Sequence, residues 1–159
     1  MSLVAPAASA DHKRRIAQSL GADVTVDYSQ PKWSEAVRDA TAGRGVDIAY
    51  DLVGGALTRS CFQALAPEGQ LLFGALGRLD LDPPDLEEAF AQNQSMTGIA
   101  LLPLLSRETL KRDLVWLFDQ AANGRLKLLR GSTFALDDVA DAHRALEGRA
   151  TVGKVVLVP

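Results

Sequence analysis

The chain has 159 residues, 47% hydrophobic, 23% charged and 6% aromatic, which suffices for one ordinary globular core. Its 17 Lys+Arg against 20 Asp+Glu give a formal charge of -3, excluding the basic footprint of a general nucleic-acid binder. A single cysteine, Cys61, excludes an internal disulfide framework and a cysteine-based zinc cluster, and two histidines alone cannot furnish a multi-histidine metal centre.

No run approaches the roughly 18 apolar residues that span a bilayer, and the opening MSLVAPAASA has no basic segment ahead of an apolar one. The expectation is a cytoplasmic chain with neither a nucleic-acid nor a membrane partner.

Short apolar runs alternate with helix-period segments, the pattern of a βαβ series with a parallel sheet. Residues 3–8 read as a short opening strand interrupted by Pro6. Residues 10–20 put Ile16, Ala17 and Leu20 on one helical face before Gly21 stops it. A strand over 23–28 follows. After Ser29-Gln30-Pro31, Ser34 can cap a helix through Thr41 that turns Trp33, Val37 and Ala40 inward. Residues 46–53 form the clearest buried strand, broken by Gly54-Gly55.

Leu57, Cys61 and Leu65 then define a helical face that ends before Pro67-Glu68-Gly69. Residues 70–76 read as a strand, 77–84 as a loop, the stretch around Leu86, Ala89 and Phe90 as a short helix, and 95–102 as a further strand. Ser106 can cap the most periodic helix, whose Leu110, Leu114, Leu117, Phe118 and Ala121 form one stripe ending at Asn123-Gly124. A strand over 132–135, a helix over 137–146 and a strand over 154–158 complete the series.

Ligands bind such sheets at the carboxyl ends of the strands, where loops converge and helix N-termini present N–H groups. Those ends carry Ala8-Ser9, Asp27-Tyr28, Val53-Gly54-Gly55 and Phe73-Gly74-Ala75, and their glycines let backbone approach a flat ligand. The same glycines also suit ordinary turns. No G-x-G-x-x-G turn opens a helix here; G-x-G occurs only as Gly43-Arg44-Gly45, ahead of a strand. Asp51 ends its strand either as a functional carboxylate or as a loop brace, and both readings stand. Cys61 reads as a core thiol, His12 and His143 as surface groups, Trp33 as packing and Trp116 as a surface stem.

The order of the pieces resembles the medium-chain dehydrogenase/reductase family of the quinone oxidoreductase and zinc-type alcohol dehydrogenase kind. The carriers are Ser9-Ala10-Asp11-His12-Lys13, Ser19-Leu20-Gly21-Ala22-Asp23, Asp27-Tyr28, Gly43-Arg44-Gly45-Val46-Asp47, Asp51-Leu52-Val53-Gly54-Gly55, Ala64-Leu65-Ala66-Pro67-Glu68-Gly69 and Gly153-Lys154-Val155-Val156-Leu157. The resemblance implies a truncated Rossmann-like fold: a doubly wound, mostly parallel sheet with helices on both faces. Residues 1–130 would be a partial NAD(P)-binding domain, and residues 131–159 a segment that packs in relatives on the catalytic domain. By this likeness the substrate domain, any zinc ligands and the first strand with its glycine-rich turn are missing, as in a gene fragment. Met1-Ser2-Leu3 reads as a cloning remnant.

The resemblance also implies the cofactor. No acid ends the strand over 3–8, so Ser9 and Tyr28 as hydroxyl donors and Lys13 as counter-charge favour NADP(H) over NAD(H), with Asp11 one step further on. Val53 and Gly54 would line the adenosine and ribose side. Phe73, Gly74 and Ala75 would pass beneath the nicotinamide, and Lys154 resembles a lysine near the cofactor cleft. No catalytic residue and no metal are expected in this chain.

As partners, the likeness implies a nicotinamide dinucleotide and a second copy paired through the edge strand 95–102. The whole enzyme would move a hydride between nicotinamide and a carbonyl, quinone or activated alkene, while the fragment alone would be inactive. Two other readings stay open: a methyltransferase-like doubly wound domain, and a non-catalytic dimerisation module.

Overall fold

Strands and helices alternate along the chain as the hydrophobic pattern requires, and the strands pair in parallel. The computed structural model of the chain describes residues 3–129 and 131–159, so Met1 and Ser2 of the expected cloning remnant lie outside them. Two compact units divide between Leu104 and Leu105, upstream of the 130/131 boundary expected from the sequence.

In the first unit the order is α1 (Asp11–Ser19), α2 (Trp33–Ala40), β1 (Val46–Asp51), α3 (Ala56–Ala64), β2 (Leu65–Phe73), α4 (Pro83–Ala91) and β3 (Ser95–Gly98). The sheet order is β1-β2-β3, with Ala49 opposite Leu71 and Leu71 opposite Met96, and both pairings are parallel. Leu65 and Leu71 are fully buried with Phe62 and Ala89 in one cluster, while Val26, Val37 and Ala64 form another. Each such large side chain contributes about 1.5–3 kcal/mol by leaving water.

The sequence misplaces several elements, each for a local reason. The strands expected over 3–8 and 23–28 contract to a single parallel bridge, Ala7 with Val26. Pro6 has no N–H to give, and the Val4 N–H bonds the Asp23 carboxylate at 2.8 Å instead of a main-chain carbonyl. Ser34 is not the cap of α2: Lys32, in the left-handed region at φ 62°, takes that place, and Ser34 is buried within the helix. Leu65 leaves α3 in an extended conformation to open β2, so the buried residues of the helix are Thr58, Phe62 and Ala64, with Leu57 and Cys61 half-buried.

Pro67-Glu68-Gly69, expected as a turn, lies inside β2. A register irregularity between Val46 and Ile48 absorbs it, and Glu68 adopts φ 66°. β3 stops at Gly98, well short of residue 102, and Leu102–Leu104 is a 3₁₀ turn around Pro103. α4 starts as its sequence dictates: Asp82 caps it in a reciprocal box with Asp85, and Pro83 and Pro84 fill the first turn.

The second unit holds α5 (Arg107–Ala122), β4 (Thr133–Ala135), α6 (Val139–Glu147) and β5 (Val156–Val158). Ser106 and Thr109 form the capping box of α5, and β4 pairs β5 in parallel with Phe134 opposite Leu157. No residue of α5 is buried, and α6 buries only Ala142. The expected strand over 154–158 starts at Val156.

Candidate functional site

The carboxyl ends of β1 and β2 come together around one buried carboxylate. Asp51 Oδ1 accepts the backbone N–H groups of Val53 at 2.8 Å and Gly54 at 2.9 Å, and Oδ2 accepts the Thr58 hydroxyl at 2.8 Å. Of the two readings left open for Asp51, the geometry selects the brace: the carboxylate ties the loop leaving β1 to the first turn of α3. Its partner strand is held alongside, because Gly74 N donates to the Asp51 carbonyl at 2.9 Å and Ile99 N donates to the Phe73 carbonyl at 2.8 Å.

Glycine is required at the crossing of these loops. Gly54 sits at φ 72°, and a Cβ there would lie 2.7 Å from the Arg78 Cβ and 2.9 Å from the Ala75 Cβ. Gly55 N in turn donates to the Arg78 carbonyl at 2.7 Å. Val53-Gly54 and Phe73-Gly74-Ala75 therefore form one ledge, with Gly54, Phe73 and Ala75 buried, Gly74 half-buried and Val53 exposed.

A second group gathers at the ends of residues 3–8 and 23–28. Arg14, on α1, donates to the carbonyls of Ala8 at 2.8 Å and Ser9 at 2.9 Å, and its guanidinium stands 3.0 Å from the Asp27 carboxylate. Hydrogen bonds from the Ser29 hydroxyl and backbone N–H, aided by the Arg14 charge, hold the Asp27 carboxyl below its ordinary range. Around this clamp lie Ser9, exposed, with Lys13 and Tyr28 half-buried. Lys154 belongs to the second unit, exposed, with its carbonyl against Gly131.

Sequence reasoning missed Arg14 and Thr58. Arg14 has the look of a solvated residue in the run Lys13-Arg14-Arg15; its signal is the Asp three residues before it, which pairs with it at 3.6 Å. Thr58 carries a signal in its place, three residues after the glycine that opens α3.

Elsewhere, burial and the nearby Asp51 charge push the Cys61 thiol up to about 12, leaving it a poor nucleophile. Among the described residues no three His, Cys, Asp or Glu side chains gather as metal ligands. Among the same residues no helix is long and apolar enough to cross a membrane.

Comparison with known proteins gives consistent matches. The zinc-binding dehydrogenase family matches residues 20–157. The 2-haloacrylate reductase of Burkholderia sp. is 33% identical over 156 residues, covering 95% of this chain and 46% of its own. A quinone oxidoreductase structure from Pseudomonas syringae superposes with a TM-score of 0.85 at 27% identity, covering 99% of this chain and 49% of that one. A mycobacterial protein solved in complex with NADPH superposes with a TM-score of 0.85 at 31% identity, covering 99% of this chain and 50% of the other. The chain thus spans about half the length of the curated relatives first matched, whose shares are 46%, 42% and 46%.

Proposed function

The chain belongs to the zinc-binding dehydrogenase family, and from that premise we propose that it is the cofactor-binding portion of an NADP(H)-dependent oxidoreductase of quinone-reductase type. The observation that carries the reading is the ledge itself: Gly54 crossing against Ala75 at the carboxyl ends of two parallel strands, where only a missing side chain permits the approach.

The residues present fit a dinucleotide. A Cβ at Gly74 would lie 2.6 Å from the Leu52 side chain, so backbone and not side chain faces outward there. Val53 and Gly54 would hold the adenosine and ribose side, and Phe73, Gly74 and Ala75 the nicotinamide side. Ser9 and Tyr28 would donate hydroxyl hydrogen bonds to a 2′-phosphate, with Lys13 as its counter-charge and Arg14 fixing the backbone beneath. Lys154 is assigned to the cofactor cleft by family likeness.

When bound, the nicotinamide supplies a hydride, and the whole enzyme would pass it to a quinone, carbonyl or activated alkene. The residues of this chain bind and orient. No catalytic residue of this chain is part of the reading. The chain alone is expected to bind nucleotide without turnover. A homodimer formed through the β3 edge belongs to the same reading.

The test is the thermal midpoint of the purified chain with NADPH, NADH and adenosylmethionine. At ~100 times Kd a single-site ligand adds about 2.7 kcal/mol. The expected result is a rise selective for NADPH that disappears in Lys13→Ala. An equal rise with NADH overturns the 2′-phosphate assignment; a rise with adenosylmethionine alone overturns the oxidoreductase reading in favour of a methyltransferase-like domain. No rise with any nucleotide overturns cofactor binding by this chain.

A further inference from the structure

Three helices of the first unit turn polar groups toward one another. Ser34 and Arg38 on α2, Arg59 and Gln63 on α3, and Asp85 and Glu88 on α4 are pairs three or four residues apart, so each pair shares one helix face. Faces that meet inside a protein are ordinarily apolar, because a polar group taken from water needs a new partner. Here they line an open cavity of about 380 Å³ to which, among the described residues, only Phe62 and Ala89 bring apolar side chains.

Most of the charged groups are already engaged. Arg38 donates to the carbonyls of Gln63 at 3.3 Å, Leu65 at 3.0 Å and Gly43 at 3.0 Å. Arg59 pairs with Asp85 at 2.6 Å and Asp82 at 3.5 Å, and Glu35 pairs with Lys32 at 3.1 Å. Two groups differ. Gln94 is only 8% exposed, and its Nε2 donates to the carbonyls of Leu65 at 3.3 Å and Ala66 at 3.2 Å. Those bonds fix which end of the carboxamide is the nitrogen, since a carbonyl accepts and cannot donate. They leave Oε1 without a donor among the described residues. No fully enclosed side-chain nitrogen or oxygen among those residues lacks a partner, so Oε1 is the atom through which Gln94 opens on the cavity. Glu88 lines the same cavity with no hydrogen bond or ion pair among the described residues.

Both open groups are acceptors, and one carries a negative charge. The guanidinium groups that could hold an anion are bonded to carbonyls and carboxylates instead. A bare metal ion is also unsuited, because among the described residues no three His, Cys, Asp or Glu side chains gather as ligands. The cavity is matched by a positive group rich in N–H donors. A primary ammonium has three, and a short alkyl stem behind it would cover Phe62 and Ala89. The volume lies near the lower end of the ~300–1,000 Å³ typical of small-molecule pockets.

We propose that this cavity binds a short-chain primary alkylamine as its ammonium ion, whose N–H groups donate to Gln94 Oε1 and the Glu88 carboxylate while the stem lies on Phe62 and Ala89. None of the residues assigned to the dinucleotide lines it. Gln94 and its partner Leu65 stand at the amino ends of β3 and β2, whereas the glycine ledge lies at the carboxyl ends of β1 and β2. The amine site is therefore independent of the cofactor reading.

The experiment titrates the chain with n-butylammonium chloride, without nucleotide and at constant ionic strength, while backbone and side-chain amide chemical shifts are followed. The expected result is a saturable shift of the Gln94 side-chain amide together with the backbone amides of Glu88 and Ala89. Tetramethylammonium has the charge without an N–H, and sodium butyrate has a similar stem with the opposite charge; both should leave these signals unmoved.

Glu88→Gln, at an exposed position, keeps the shape, removes the charge and should weaken binding at least about tenfold. Gln94→Met deletes the buried acceptor and should abolish binding; if it unfolds through loss of the bonds to Leu65 and Ala66, Glu88→Gln decides alone. Glu108→Gln, on α5, should change nothing. Absence of a saturable shift overturns the proposal, as does an equal response to tetramethylammonium or an affinity indifferent to Glu88→Gln. Saturable binding of butyrate overturns it in favour of an anion site on Arg38 and Arg59.

Discussion

Thr58 Oγ1 donates to Asp51 Oδ2 across 2.8 Å with both residues buried, and this single bond joins the end of β1 to the first turn of α3. Because the acceptor is a carboxylate, the bond belongs to the stronger class, ~1.5–3 kcal/mol. Thr58→Val keeps the shape and removes the donor, leaving one buried oxygen unpaired. A stability loss of about 1.5–3 kcal/mol in urea unfolding, with unchanged m, is the expected outcome. A loss below about 0.5 kcal/mol would show that the loop is held by the Val53 and Gly54 N–H groups alone.

Gly54 and Gly77 both adopt positive φ, 72° and 73°, but they differ in what surrounds them. A Cβ at Gly77 meets nothing within 4 Å, whereas one at Gly54 overlaps Arg78 and Ala75. Gly77→Ala should therefore cost only the left-handed strain of about 1–2 kcal/mol. Gly54→Ala should cost more than that and also lower any nucleotide-induced thermal shift, since it parts the ledge. Equal thermal midpoints for the two variants would refute the close crossing.

These contacts explain what the sequence discloses. Alternation of apolar runs with helical segments, together with Asp82-Pro83-Pro84 and Ser106, is local information, and the parallel α/β architecture and those two helix starts follow from it. Leu65 is different. Its spacing from Leu57 and Cys61 suits a helix, but the strand it opens is set by pairing with Val46, a partner far away in sequence. The same holds in the candidate site: Gly54 and Gly74 are visible as glycines, while the reason for Gly54, the approach of Ala75 and Arg78, is a tertiary fact. Arg14 was hidden because two of its partners are carbonyls, which no residue name announces.

Arg14 links α1 to Ala8, Ser9 and Asp27, so its loss should reach the Ser9, Lys13 and Tyr28 group without removing any of them. Arg14→Ala is expected to weaken NADPH-induced stabilisation as Lys13→Ala does. Unlike Lys13→Ala, it should also speed amide exchange at Val26, whose N–H bonds the Pro6 carbonyl at 3.1 Å. Unchanged exchange at Val26 would mean that the clamp is ornamental.

Acid should release the same clamp. The Asp27 carboxyl is lowered from 3.8, so the stabilisation tied to its charge is present above the ordinary value and is lost as pH falls through the lower folded one. Chemical shifts of Asp27 and Ser29 should therefore titrate below pH 3.8, and Asp27→Asn should remove that transition. A titration at or above the ordinary value would contradict the Ser29 hydrogen bonds.

Cys61 provides a test in the opposite direction. Burial first, and then the Asp51 charge, raise its thiol from 9.0 to about 12, so the folded chain keeps the proton where an unfolded chain has lost it. This contribution to stability is whole below pH 9.0 and declines as pH rises from there toward about 12. Two measurements follow from the same shift. Iodoacetamide at neutral pH should label Cys61 in the folded chain at least about a hundredfold more slowly than in urea. Cys61→Ala should flatten the fall in stability above pH 9.0 while costing packing against the Phe62, Leu65 and Leu71 cluster. Rapid labelling of the folded chain would show instead that solvent reaches Cys61 freely enough to ionise it.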